Sequence, residues 1–293
     1  MPAIATLVNP AVPDEKSIQL FYNTKAGQLG LSLRTGDKSK GEQVTFAADN
    51  DDHQGNILNP SELAAATYRG VNLVVGVTRP RLDANSEQTV NNVSIVSPVY
   101  QQLNTTAMAN LKVDLASSGD SAWVYYLNGT NAQETTLKEY DLETGSTSTY
   151  LQSQAVLPNS SLGSYYDAQA DGGAGKRYVV YQEGIEGHLM EFSVNDKQGW
   201  NIANTNDAKD STTIGLSFFE NKVYLYYTDS KDNLRRIVKV DGKWQKPDYL
   251  EGSPKANATT QISVSTANRL NHVFYVSRED KPGSFTHLKD KVL

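Results

Sequence analysis

The stretch Lys222–Gln245, KVYLYYTDSKDNLRRIVKVDGKWQ, decides the fold. Val223, Leu225 and Tyr227 alternate with Tyr224 and Tyr226, so both faces of one short strand are mostly apolar. Successive strand side chains point to opposite faces, and a strand of this kind requires cover on both. Asp229-Ser230-Lys231-Asp232-Asn233 is a turn cluster, after which Leu234–Val240 reads as an antiparallel return strand. Asp241-Gly242 is a two-residue hairpin signal, and Lys243-Trp244-Gln245 opens a third strand. The unit is a β-meander.

The same unit recurs on both sides of this stretch. Its second strand begins at Gln19, Asn72, Trp123, Tyr178, Tyr224 and His272, positions spaced 53, 51, 55, 46 and 48 residues apart. A repeat of about 40–50 residues carrying three or four strands is the sequence signature of a propeller blade. A β-sandwich also shows many short strands, but it has no reason to repeat one hairpin chemistry. Here Asp196-Lys197-Gln198-Gly199-Trp200 and Asp241-Gly242-Lys243-Trp244 occupy the same place in adjacent units. The expected fold is therefore all-β, one six-bladed propeller, with blades near 1–60, 61–104, 105–158, 159–210, 211–256 and 257–293. Closure of such a ring places Ile4–Val8 beside the last unit, Ile262–Leu288.

Composition narrows the function classes. The 293-residue chain has no apolar run near the ~20 residues that a helix needs to cross a bilayer. Sixteen tyrosines against three methionines suit strands. A net charge of −6 argues against a nucleic-acid surface, which wants clustered Lys and Arg. With no cysteine there is no disulfide, thiolate metal site or cysteine nucleophile. Glycosylation sequons begin at Asn92, Asn104, Asn128, Asn159 and Asn257, three of them in expected turns, and Met1-Pro2-Ala3 reads as a start that replaces a leader. These favour a secreted glycoprotein.

The order apolar-x-apolar-Tyr-Tyr, polar turn, Leu-x-Glu, Asp-Gly-x-Trp resembles the blades of fungal fucose-specific lectins of the Aleuria type, most closely in units three to five. In that family each sugar pocket lies between blades, with an Arg near the start of the second strand, a Glu on the third and aromatic platforms. Glu139 and Glu191 match the carboxylate. Gln19, Asn72, Trp123, Tyr178, Tyr224 and His272 stand where the Arg should be, and Arg177 is one residue off register. Without that Arg, Glu139 and Glu191 are expected to be solvated strand-edge residues, and fucose binding is not expected.

Other motifs carry little. Ser193–Trp200 resembles a sialidase Asp-box with the wrong spacing. Asp49-Asn50-Asp51-Asp52-His53-Gln54-Gly55 has hard oxygen ligands but no distal Glu, and reads as a polar loop. His53, His188, His272 and His287 share no metal-ligand spacing, so no metal is expected. Gly172-Gly173-Ala174-Gly175 opens no helix and is no phosphate cradle. No Gly-x-Ser-x-Gly occurs.

The aligned ring of aromatic and amide residues remains. Its bland reading is packing between blades; its functional reading is an apolar pocket with a few orienting polar groups. Loss of the sugar-binding arginines on a lectin-type propeller also resembles the fungal hetero-Diels–Alderases of tropolone sesquiterpenoid biosynthesis, which join a humulene-type alkene to a tropolone quinone methide. That resemblance implies cofactor-free cycloaddition. Tyr224, His272 and Tyr178 are the expected catalytic donors, and Trp123, Gln19, Asn72, Trp200 and Trp244 the expected substrate contacts. The alternative is a lectin of altered specificity that binds a glycan. No cofactor, nucleic acid or membrane span is expected, and a homodimer is left open.

Overall fold

The computed structural model describes residues 3–11, 17–34, 43–45, 55–81, 87–151 and 155–292. These form six antiparallel sheets taken in chain order. Blade I is β1 (Ile4–Val8), β2 (Ile18–Asn23), β3 (Leu29–Arg34) and β4 (Gln43–Thr45). Blade II is β5 (Leu63–Tyr68), β6 (Val71–Thr78), β7 (Val90–Ser97) and β8 (Gln101–Ala107). Blade III is β9 (Val113–Ser117), β10 (Ala122–Asn128), β11 (Thr136–Asp141) and β12 (Thr147–Tyr150). Blade IV is β13 (Gly163–Asp167), β14 (Lys176–Gln182), β15 (Leu189–Ser193) and β16 (Gln198–Asn201), with the helical turn α1 (Ala170–Gly173) between its first two strands. Blade V is β17 (Gly215–Phe219), β18 (Lys222–Thr228), β19 (Leu234–Val240), β20 (Lys243–Trp244) and β21 (Asp248–Tyr249). Blade VI is β22 (Ser263–Ala267), β23 (Leu270–Tyr275) and β24 (Thr286–Lys291).

Both apolar faces of β18 find their cover. Tyr224 and Tyr226 pack with Ile262, Val273 and Tyr275 of blade VI, while Leu225 and Tyr227 pack with Val180 and Leu189 of blade IV. The clusters of the other blades likewise join neighbours, so the core is a set of seams rather than one central mass. The hairpin signal also holds: Asp241 and Gly242 have φ of 48° and 76°, as a tight two-residue turn requires.

One feature differs from the sequence reading. β8, reading Gln-Gln-Leu-Asn-Thr-Thr-Ala, is a fourth strand in blade II, so the boundary expected near 104 falls inside a strand. An outermost strand has one solvated face and need not show an apolar pattern. The Asp49–Gly55 loop lies outside the described residues except for Gly55.

The innermost strands run around a central channel: β1 contacts β5 and β22, and β5, β9, β13, β17 and β22 follow in turn. Ile4–Val8 thus lies beside the last blade. Where the inner strands begin they converge tightly. A Cβ on Gly215 would come within 2.5 Å of the Ile262 side chain, and one on Gly163 within 2.9 Å of Ile214.

A polar collar binds this narrow end. The Gln261 side-chain carbonyl accepts from the amides of Ile4 (2.8 Å) and Leu63 (3.1 Å), and its NH2 donates to the Leu63 carbonyl (2.7 Å). One residue of blade VI thereby ties blades I and II. Glu62 Oε1 takes Lys112 at 2.9 Å and the Ser161 hydroxyl at 2.8 Å, and Ser161 Oγ accepts from the Ile214 amide at 3.0 Å. Thr6 and Ser263 add a hydroxyl pair at 2.9 Å across the closing seam.

Gln261→Ala removes three hydrogen bonds and strands two buried amides, each worth about 1–3 kcal/mol when unmet. The variant is expected to lose several kcal/mol in a denaturant titration followed by circular dichroism. A midpoint equal to that of the native protein would show that the collar does not hold the ring.

Candidate functional site

Each of the six aligned second-strand positions occupies its own blade, and they do not meet in one cavity. Gln19 and Asn72 bond each other across the first seam, Nδ2 to Oε1 at 3.0 Å. Trp123 stacks near Tyr166, at 5.6 Å, and under the Arg177 guanidinium, at 4.9 Å. Tyr178 stacks on Tyr165 at 4.8 Å. Tyr224 and His272 are fully buried, and His272 Nδ1 hydrogen-bonds His287 Nε2 at 2.8 Å. Trp200 is half exposed on β16, and Trp244 donates to Glu191 at 3.3 Å.

The two lectin-like glutamates are not solvated strand-edge residues: both are buried, because cations arrive from the next blade. Glu139 takes the Tyr125 hydroxyl at 2.7 Å and Arg177 of blade IV at 2.8 Å. Glu191 takes the Tyr165 hydroxyl at 2.7 Å and Lys239 of blade V at 2.7 Å. Arg177, one residue from the aligned position, reaches the carboxylate of the preceding blade, so the one-residue shift gives this one seam an Arg–Glu pair. Lys239 sits on the third strand, where an alignment of second strands does not look. Burial raises Glu139, with the Tyr125 hydrogen bond and Arg177 opposing. Burial and the adjacent carboxylates push the Tyr125 and Tyr165 phenols upward, so both remain donors. These seams present carboxylates already saturated by protein groups.

A third network lies between blades V and VI. Asp290 accepts from Arg236 at 2.6 Å and from the Tyr226 hydroxyl at 2.5 Å, and Asn271 donates to that hydroxyl at 2.9 Å. It too is closed.

One of the open spaces lies on the channel axis. Its wide mouth, about 410 Å³, is walled by Leu7, Tyr166, Leu216, Phe218 and Phe219, with the hydroxyl-bearing Ser117, Ser217 and Thr266 along its lining. Below it a narrower, polar cavity of about 90 Å³ is lined by Asp114, Ser164 and Gln261, among others. Asp114 is enclosed by inner strands and only partly exposed to the channel. Burial pushes its carboxyl up to about 7, Glu62 adds to that, and hydrogen bonds from Ser164 and Leu115 oppose it. These inner-strand residues were absent from the sequence reading. The signal that marks the mouth is a repeated triplet, Ser164-Tyr165-Tyr166 and Ser217-Phe218-Phe219, ending the first strands of adjacent blades.

No protein-family profile matches the chain. In sequence it is similar to the wall-associated proteinase of Coccidioides posadasii, 27% identical over 304 residues and covering 94% of this chain and 92% of that protein. The wall-associated proteinase of Coccidioides immitis is 26% identical with the same coverage. In structure it is similar to the Aleuria aurantia lectin, a six-bladed β-propeller that recognises fucose, with TM-score 0.68, 13% identity and coverage of 99% of this chain and 95% of the lectin. The AofleA protein of Arthrobotrys oligospora follows at TM-score 0.65, 12% identity and coverage of 99% and 86%. At such identities the likeness to solved structures establishes the fold.

Two outcomes are expected. Lys239→Met leaves Glu191 buried without its cation and should cost about 3–5 kcal/mol, recovered in large part by adding Glu191→Gln; additive losses in a double-mutant cycle would refute the coupling. Asp114 has a folded value, about 7, above its ordinary one, so the native state holds the extra proton between the usual carboxylate range and neutrality. Stability then falls as pH rises through that window. The Tm of Asp114→Asn should be flatter with pH than that of the native protein.

Proposed function

We propose that the chain binds an apolar, carbonyl-bearing organic molecule in the wide mouth of the channel, and that it acts there as a cofactor-free hetero-Diels–Alderase joining a terpene alkene to a tropolone-type quinone methide. The observation that supports this reading is the mouth itself: a volume of about 410 Å³ in which the aliphatic and aromatic side chains of Leu7, Leu216, Phe218 and Phe219 stand beside a larger share of polar lining that includes Ser117, Ser217 and Thr266. Sites for small organic ligands commonly combine apolar and aromatic walls with placed polar groups.

The reaction asks little of a protein. Six π electrons of an oxadiene and an alkene become two σ bonds and one π bond, and no atom leaves. Holding both partners in a near-attack pose removes the entropic part of the barrier. A hydrogen-bond donor at the carbonyl oxygen stabilises the charge that gathers there in the transition state. The walls at Leu7, Leu216, Phe218 and Phe219 supply the first function by excluding water from the apolar faces of both partners.

The alternative, a lectin of altered specificity, is favoured by the fold shared with the fucose-binding propellers. Against fucose at several sites stands Glu191, which is held by Lys239 in place of an arginine and by the Tyr165 hydroxyl. The Glu139 seam, where Arg177 pairs with the carboxylate beside Trp123, is the one among the described residues that keeps an Arg–Glu–aromatic set.

The test is a reaction of a generated quinone methide with a humulene-type alkene, with and without protein. The native chain is expected to raise the rate and bias the stereochemistry. Phe219→Ala, which removes apolar wall worth about 1–2 kcal/mol of burial, should lower that acceleration roughly tenfold. Equal rate and product ratio with and without protein would reject the reading. Saturable fucose binding by calorimetry, at several sites per chain, would restore the lectin.

A further inference from the structure

The mouth and the polar cavity adjoin. Thr6, Ala65, Leu115, Ser164, Leu216 and Val264 line both the mouth and the polar cavity beneath it. A ligand that extends inward from the mouth past these shared residues enters the lower cavity, and Asp114 is the carboxyl there. We infer that the Asp114 carboxyl, in its neutral form, is the hydrogen-bond donor to the carbonyl oxygen of that ligand, an inference that rests on the function proposed above.

The charge balance of the floor supports the neutral form. Two carboxyls lie at this end, Glu62 and Asp114, with one lysine. Lys112 is committed to Glu62 at 2.9 Å, and Ser161 donates to the same oxygen. Among the described residues no cation pairs with Asp114. The groups around it are few. Glu62 at the start of blade II opposes its ionisation, and Ser164 on β13 is its hydroxyl neighbour. Tyr125, opposite it on β10, gives its hydroxyl to Glu139. Burial is the largest influence and pushes the carboxyl up to about 7. A carboxylic acid in its neutral form is a donor to an oxygen that gains negative charge, and it need not release its proton to act. This also explains why the aromatic donors anticipated on the second strands are unnecessary: Tyr224 and His272 are buried in seams, whereas Asp114 lies on the channel.

The probe is tropone, a neutral ring ketone that does not ionise, titrated into the full chain by calorimetry from well below to well above neutrality. Native affinity should fall about tenfold as pH rises past 7, the ordinary worth of one hydrogen bond, because the ionised carboxyl can only accept. Asp114→Asn keeps a neutral donor and should bind with an affinity that does not change with pH. Asp114→Leu should bind more weakly than native at acid pH and show no pH dependence. The acceleration of the cycloaddition should follow the same three profiles. Tropone binding that is flat with pH in the native chain overturns the role of Asp114 while leaving the pocket intact. No tropone binding at any pH overturns the pocket and the inference together. Binding that follows Asp114 without any acceleration of the cycloaddition leaves Asp114 as a ligand-recognition residue and rejects the catalytic function. The native pH profile decides even where a variant fails to fold.

Discussion

The ring stays closed through one amide side chain. Gln261, at the start of the last blade, holds two backbone amides and a carbonyl that belong to blades I and II. Chain topology alone would not do this. Each blade is an independent meander, and blade VI is built from C-terminal strands without a strand lent by the N-terminus. The join between first and last blades includes β1 against β22, the apolar cluster of Ile4, Ile18 and Leu20 with Phe274, the Thr6–Ser263 hydroxyls and the Gln261 amide. Everything on the channel axis depends on that join, because the cavities exist only while six inner strands surround them.

The same geometry explains why the lectin-like carboxylates are closed and the axis open. Neighbouring blades press their faces together, so a polar group in a seam must find partners there or remain unpaired at a cost. Glu139 and Glu191 meet this condition with Arg177 and Lys239 from the following blade. On the axis no neighbour arrives. Tyr166, Phe218 and Phe219, at the ends of β13 and β17, line the mouth.

The fold was legible because its main signal is long and repeated. Val223 to Tyr227, apolar on both faces, can only be a strand covered on both sides, and six such strands at one spacing demand a ring. The seams were partly legible: Tyr178 and Trp123 do sit between blades, as their alignment implies. The charge pairing was not, since Arg177 and Lys239 act on carboxylates in a different repeat, and a comparison of equivalent positions looks only within one column. Asp114 was hidden for another reason. In sequence, Lys112-Val113-Asp114-Leu115 is an ordinary strand start, and what singles out its carboxyl is burial among inner strands of other blades, with Glu62, far away in sequence, beside it. The polar strand β8 was missed because an outermost strand owes its pairing to backbone hydrogen bonds and shows no apolar face.

The Gln261–Ile4 bond joins residues 257 positions apart. Bringing such distant segments together from an unfolded chain costs on the order of 5 kcal/mol in loop entropy by the logarithmic law, far more than the short hairpins within a blade. On a ribosome the first five blades can each pair their own strands as they emerge, while the collar waits for Gln261. Until then the chain is an open arc with two bare blade faces, one carrying Ile4, Ile18 and Leu20 and the other Tyr224 and Tyr226. Those unpaired apolar faces make the interval before closure the time at which this protein is most exposed to misassembly with another copy of itself, and they make the rate of synthesis of its last blade a determinant of its yield.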